Sequence, residues 1–395
     1  MNTTLLRLAF GVAATVAGLS AQSKLISGAQ IAQAEAARKQ YPTWAPAAAA
    51  LGSAYVLAAR ETGDPVFLEK AAEQVAQSLK LGPNDPAALK VRARILLERR
   101  DLPAAQKLLE SLRQRGPDDL EVSSLLCTAY MNLGRYDQAE QAAQFIRDLR
   151  PAELMGYLRG AEFRELIGDL GGALTYYRES FVRTPTDLPQ EKARILVQMA
   201  HVLAISGNQQ GADQALRQAD QLAPGFYGTA LERGRALLAK GDAQAARTAL
   251  EQAQPTPSLE WRYWHTLALQ RSGKTPDWKP LLQEARSFAP ELLARYYLEV
   301  GHEPEKALTL LQERAKTWRD VQTLHLLAWA QMEVKEYDRA SETLAEALRV
   351  GVKEPEMLYH ATQIAQARGD VKAAAQYKRE LAALNANSPF VAELR

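Results

Sequence analysis

LEVSSLLCTAYMNLGRYDQAEQAAQFIRDLRP, residues 120–151, carries the reading on which everything else depends. Leu125, Leu126, Ala129, Tyr130 and Leu133 recur at the spacing of one buried helix face. Gly134-Arg135 then interrupts the pattern, and glycine suits the left-handed residue that ends a helix. Pro151 closes the unit, because proline cannot continue a helix interior. The segment therefore predicts two helices joined by a tight turn.

The same pattern repeats outward from it. Pro83, Pro117, Pro151 and Pro185 stand 34 residues apart, as do Ala71, Ala105, Ala139 and Ala173. Both series then slip by 39 residues, to Pro224 and Ala212, which marks an insertion near 186–190, with Thr186-Asp187-Leu188-Pro189 as a longer loop. The alanine series continues at Ala246, Ala307, Ala340 and Ala374. Turn pairs Gly168-Asp169, Gly207-Asn208, Gly241-Asp242 and Gly369-Asp370 add an Asp or Asn able to cap the second helix. No run alternates with period two for long enough to predict a strand.

Over about 44–390 these residues resemble the tetratricopeptide repeat family. The resemblance implies an all-α fold, a right-handed α-solenoid of about ten antiparallel hairpins. It also implies small residues at the eighth and twentieth positions of each unit, where helix backbones approach closely. The eighth positions read Ala93, Cys127, Ala161, Ala200, Gly234, Thr266, Ala328 and Thr362; the twentieth include Ala105, Ala139, Ala173, Ala212, Ala246, Ala340 and Ala374. The expected organisation is a leading helix or flexible arm at 22–43, one array at 44–255 and a second at 256–395. The proline-interrupted junction Gln254-Pro255-Thr256-Pro257-Ser258 separates the arrays, and two irregular hairpins follow at about 259–319. There Trp278 stands where alanine is expected, and Arg295 falls at a small-residue position.

The N-terminus is of another kind. Arg7, the apolar stretch Leu8 to Leu19 and the small residues Ser20-Ala21 follow the order of a secretory signal peptide, so 1–21 is expected to be cleaved on export. An uncleaved signal anchor, or a cytosolic protein with an apolar first helix, are the alternatives. The 12 apolar residues fall short of the roughly 20 of a membrane span. Cys127 is the only cysteine, which excludes an intramolecular disulfide.

Composition excludes further classes. Apolar residues are 47% and charged residues 24%, ordinary for a soluble protein. A net charge of +2 gives no basic stripe for nucleic acid. His201, His265, His302, His325 and His360 are scattered, and a single cysteine cannot complete a zinc site. No phosphate loop, G-x-S-x-G elbow or H-E-x-x-H is present, so the sequence implies no catalytic site, metal or cofactor.

By resemblance, concave-groove positions of the first helices would instead hold a protein or peptide segment. These are Lys90, Arg94 and Glu98; Met131 and Asn132; Arg194 and His201; Arg235; Tyr263; His325, Trp329 and Met332; and Tyr359 and Gln363. Lys90 is followed by Arg94 rather than asparagine, which departs from the family's carboxylate-clamp pattern. His325 and Trp329, four residues apart, share a helix face, and Tyr359 takes the place of His325 in the next hairpin. The expected function is a non-catalytic interaction scaffold of the bacterial cell envelope, periplasmic or secreted. A structural spacer or oligomer-forming rod, or an accessory subunit of an envelope enzyme or export machine, are the alternatives.

Overall fold

The computed structural model describes residues 26–62, 64–253 and 258–394. The expected signal segment 1–21, Gly63 and the prolines of the 254–258 junction lie outside the described residues. Among the described residues there are helices and no strand, as the register requires. The chain divides into two compact units between Asp101 and Leu102.

The first unit contains α1 (Ile26–Gln40), α2 (Ala45–Thr62), α3 (Val66–Leu81) and α4 (Pro86–Glu98). Residues 26–40 are thus a leading helix. Its Ile31 and Ala34 are buried in one core with Leu51, Tyr55, Phe67, Val75 and Val91, and the Tyr55 hydroxyl donates to Glu35 over 3.1 Å.

The second unit opens with α5 (Leu102–Arg115) and continues in hairpins. They are α6–α7 (Leu120–Asn132, Tyr136–Leu149), α8–α9 (Leu154–Leu166, Leu170–Arg183) and α10–α11 (Pro189–Ile205, Gln209–Leu222). Next come α12–α13 (Tyr227–Ala239, Ala243–Glu251), α14–α15 (Leu259–Arg271, Lys279–Phe288) and α16–α17 (Pro290–Glu299, Pro304–Ala315). The last are α18–α19 (Val321–Glu333, Tyr337–Leu348), α20–α21 (Pro355–Ala367, Val371–Leu384) and the short α22 (Pro389–Glu393).

Turn chemistry explains the repetition. Gly134, Gly168, Gly207, Gly241 and Gly369 hold φ between +72° and +81°. Just after them Asp169, Asn208, Asp242 and Asp370 accept the third N–H onward at 2.9–3.0 Å. Each such cap stabilises its helix by about 1 kcal/mol. In the α18–α19 turn Lys335 takes the left-handed place at φ +66°.

Helices cross at small residues. Ala105, Cys127, Ala139, Ala161, Ala173, Ala200, Ala212, Ala246, Ala328 and Ala340 are at most 2% exposed, and Ala374 is 7% exposed. At Gly234 a Cβ would lie 2.6 Å from Leu250 Cγ, so even alanine would force the buried Leu250 side chain to move. The Cys127 thiol packs against the Ala139 carbonyl at 3.4 Å, and burial pushes its pKa up to about 12. It is a protonated packing group rather than a nucleophile.

Three details differ from the sequence expectation. Pro189 is the first residue of α10, so part of the insertion lengthens that helix to 17 residues instead of its loop. In α16 it is Ala294 that is fully buried, against Ala307 and Leu311 of α17; Arg295 is its neighbour, one position further along the wall. In α14 Ala268, rather than Thr266, is the fully buried small residue. Both departures adjoin short helices: α15 and α16 have 10 residues each. Trp278 fills the resulting gap, with ring centroids 5.4 Å from Tyr263 and 4.9 Å from Tyr296, and its indole N–H donates to Gln270 at 2.6 Å.

The second unit also coils back upon itself. Its early hairpin turns meet the junctions between its late hairpins. A Cβ on Gly134 would lie 2.4 Å from the Arg319 carbonyl oxygen, and one on Gly168 would lie 2.1 Å from that of Gly351. The Val321 N–H donates to the Tyr136 hydroxyl at 2.8 Å, and the Asn385 side-chain amide donates to the Ala204 carbonyl at 3.0 Å. Tyr136 and Leu166 pack on the core of Val321, Leu324, Met357 and Ile364. These contacts span 181 to 185 residues, so α6–α11 and α18–α21 close a ring along a seam.

Candidate functional site

Inside that ring lies a cavity of about 480 Å³, lined from both sides of the seam. Most of its lining comes from first helices, with Tyr136 and Tyr177 added from second helices. Six carboxylates contribute: Glu162 and Glu165 from α8, Glu232 from α12, Asp320 before α18, and Glu354 and Glu356 at the start of α20. Against them stand Arg235, Arg295 and the imidazoles of His201 and His325.

His201 sits at the centre of the acidic side. Its Nδ1 lies 3.1 Å from Glu232, and its Nε2 lies 3.5 Å from Glu354 across the seam and 3.8 Å from Glu165. Burial opposes a charge there, but Glu232 and Glu354 override it and raise the His201 pKa well above its usual value. Reciprocally, Glu232 is buried and still held down to about 2 by the imidazolium. Glu165 has less compensation: burial raises it to about 7, although His201 and a 2.7 Å hydrogen bond from Tyr177 pull the other way.

The opposite wall is neutralised pairwise. Arg295 donates twice to Glu356, at 2.9 and 2.7 Å, and this bidentate pair holds the Glu356 carboxyl well below the usual range in spite of its burial. Beneath it His325 and His360 share a hydrogen bond of 2.8 Å. Burial, and then the neighbouring His325, lower His360 to about 3, so that ring is neutral. Arg235 and Arg295 approach the Trp264 ring at 5.4 and 5.7 Å, and Arg295 also approaches Trp329 at 5.7 Å. Trp329 stacks on His360 at 4.5 Å, Tyr359 lies 5.4 Å from His360, and Phe390 follows at 5.2 Å from Tyr359. Alternating cationic and aromatic groups thus join the first helices α12, α14, α16 and α18, and aromatic rings continue the row to α20 and α22.

Of the groove residues expected from sequence, Met131, Asn132, His201, Arg235 and His325 line the cavity. His325 is 5% exposed, with one nitrogen bound to His360. Trp329 and Tyr359 are half-buried on either side of His360, so His325, Trp329 and Tyr359 are linked through a residue that sequence reasoning passed over. Tyr263 is fully buried and donates to Glu299 at 3.3 Å; its neighbour Trp264 reaches the wall instead, because the register of α14 is shifted. Arg194 lies over the Phe226 ring at 5.4 Å and pairs with Glu191, away from the cavity lining. Lys90 and Arg94 belong to the first unit, where Arg94 donates to Ser53 at 3.3 Å. Among the described residues no group of His, Cys, Asp and Glu could hold a metal ion, and no helix is long and apolar enough to cross a membrane.

A tetratricopeptide repeat model matches residues 68–126 and 96–153. A thermophilic tetratricopeptide protein of Thermus thermophilus is 20% identical over 44% of this chain and 91% of its own, with TM-score 0.39. A chain of the anaphase-promoting complex tetramer Cut9-Hcn1 is 16% identical over 88% of this chain, with TM-score 0.47, and this chain spans 62% of its length. No curated protein sequence matches. Residues 68–153 thus match the tetratricopeptide repeat family, and the 34-residue register and packed helical hairpins of the remaining chain are of the same kind.

Proposed function

We propose that this protein is a non-catalytic interaction scaffold whose ring takes in a partner segment presenting Lys or Arg side chains. One observation carries the reading: the cavity is lined from both sides of the seam, with six carboxylates against two guanidinium groups and an imidazolium. Glu162 is already paired with Arg159, so an entering cation adds counter-charge chiefly beside Glu165, where a low-dielectric site strengthens the attraction. Tetratricopeptide arrays suggest protein partners, and the charge of the cavity specifies which kind. We place the scaffold in the bacterial cell envelope, on the strength of Arg7, the apolar Leu8 to Leu19 stretch and the small residues before Gln22. A mature N-terminus at Gln22, read by mass spectrometry of protein from its native host, supports that placement; an intact Met1 on cytosolic protein removes it.

Selection of displayed peptides on the immobilised full chain tests the binding reading. Enriched peptides should carry Lys or Arg, and Glu354→Lys should weaken their capture at least tenfold, about 1.4 kcal/mol, with helical content unchanged. Peptides without charge bias, or binding indifferent to Glu354→Lys, would refute it.

A further inference from the structure

The seam of the ring joins the apolar packing of Tyr136 and Leu166 to few polar contacts, and it closes directly over the cavity. Tyr136 to Val321 and Asn385 to Ala204 are hydrogen bonds at its two ends, and between them glycine turns abut carbonyl oxygens. At its centre Glu354, on the late side, faces His201, Glu165 and Glu232 on the early side. We propose that the ring is a clasp, held shut by a positively charged His201 bridging carboxylates across the seam, which opens when that charge is lost and so regulates entry of the partner segment.

The groups around His201 fix the direction. From α8 come Glu165 and, further along the wall, Glu162, which is paired with Arg159; α9 supplies the Tyr177 hydroxyl on Glu165, and Asp169 just before α9 is attracted by Lys353 across the seam. From α12 come Glu232 and Arg235, the latter turned toward Glu260 at 3.7 Å. From α20 come Glu354 and Glu356, and Glu356 is already matched by Arg295 of α16, with His325 of α18 behind it. With His201 charged, Glu354 is attracted across the seam. With His201 neutral, Glu354 faces Glu165 and Glu232 with nothing between them, and like charges drive the two sides apart. Because the folded-state pKa of His201 is raised, its contribution is complete below the ordinary value of 6.5 and is lost as pH rises through the raised value. Glu165, raised to about 7, gains its own charge on the way up and pushes in the same direction.

This inference rests on the ring interior being the partner site, but its test needs no partner. Spin labels at Gly171→Cys, where a side chain meets open space just beyond the Gly168 seam contact, and at the exposed Lys372→Cys sit on α9 and α21, on the early and late sides of the ring. Cys127, fully buried, is spared from labelling. Pulsed electron resonance at pH 6.5 should give one short distance in the full chain. Titration towards pH 10 should populate a distance longer by up to about a helix diameter, 10 Å. His201→Gln should show the longer distance at pH 6.5 and no further alkaline step. Glu354→Gln, outside any helix interior, should lengthen the distance at pH 6.5 in the same way and carries the test should His201→Gln fail to fold. A distance unmoved by pH and by the folded variants overturns the clasp. Peptide capture measured separately keeps the two readings apart, since opening without capture refutes only the binding site.

Discussion

Gly168→Ala, set beside Gly241→Ala, measures how much ring closure contributes to stability. Both glycines end the first helix of a hairpin in the left-handed region, at φ +75° and +80°. An added Cβ strains each by about 1–2 kcal/mol, and reduced freedom of the unfolded chain returns about 0.4–1 kcal/mol of that. Gly241 has nothing within 4 Å of the new atom, so its net loss should be about 1 kcal/mol. At Gly168 the new atom would lie 2.1 Å from the Gly351 carbonyl oxygen and 3.0 Å from Lys353 Cγ. An ordinary contact needs more than 3.4 Å, and the blocking group is backbone, so the α8–α9 turn and the 351–353 junction must separate by over 1 Å. Overpacking of that kind adds about 1–3 kcal/mol. The same displacement tears at the Tyr136 to Val321 bond, worth about 1 kcal/mol. Gly168→Ala should therefore lose about 2–4 kcal/mol more than its control. Urea denaturation followed by helical circular dichroism reads the difference in midpoint. Amide exchange of Val321, whose N–H is held only by Tyr136 across the seam, reads its location. Equal midpoints for the two variants, with Val321 exchange unchanged, would refute the closed ring.

Two further outcomes test the interior. Ala139→Arg should destabilise the array by more than about 3 kcal/mol in chemical denaturation, since it places a charge at a fully buried helix crossing, whereas Arg135→Ala in the exposed turn should stay within about 0.5 kcal/mol; similar midpoints would put the repeat register in error. His360→Phe keeps a ring against Trp329 but removes a group whose pKa is lowered to about 3 on folding, so the variant should lose less stability than wild type as pH falls from 6.5 towards 3, by at most about 1.4 kcal/mol per pH unit; because Glu165 pulls the opposite way above 4.5, the decisive quantity is the difference between the two melting curves, and parallel curves would refute a neutral buried His360.

Local pattern made the hairpins legible and left the ring invisible. A glycine at φ > 0, an Asp or Asn cap after it and a small residue at each crossing are all decided within one 34-residue unit, so periodicity exposes them. The seam joins residues more than 180 apart, through Tyr136 and Asn385, whose types carry no signal of that contact. Much of the cavity lay within reach of the positional rule all the same. Glu162 and Glu165 hold the ninth and twelfth positions of the hairpin beginning at Leu154, and Glu356 holds the second position of the one beginning at Pro355. Arg295 was hidden by a single-residue error of register: once Ala294 takes the small-residue place, Arg295 moves to the ninth position and onto the wall. In α14 the register departs as well, since Ala268 rather than Thr266 is the fully buried small residue, and Trp264 rather than Tyr263 meets Arg235 and Arg295.

That these errors gather in α14 to α17 has a physical cause with consequences for function. Regular hairpins spend their buried face on alanine and leucine, and their geometry follows from close approach alone. With helices of only 10 residues, α15 and α16 cannot cover their neighbours in that way. Trp261, Trp264 and Trp278 supply the missing volume, and Arg295 supplies a buried cation satisfied by Glu356 of α20, 61 residues away. A bidentate ion pair tolerates little change in distance or angle, so it sets the direction in which the array turns at this point. Replacing both partners with apolar residues could leave stability unchanged, yet it would remove that directional constraint. The irregular hairpins therefore do more than interrupt the solenoid: by aiming α18 to α20 back at α6 to α11, they bring Glu354 within reach of His201 and make a walled cavity out of an open groove.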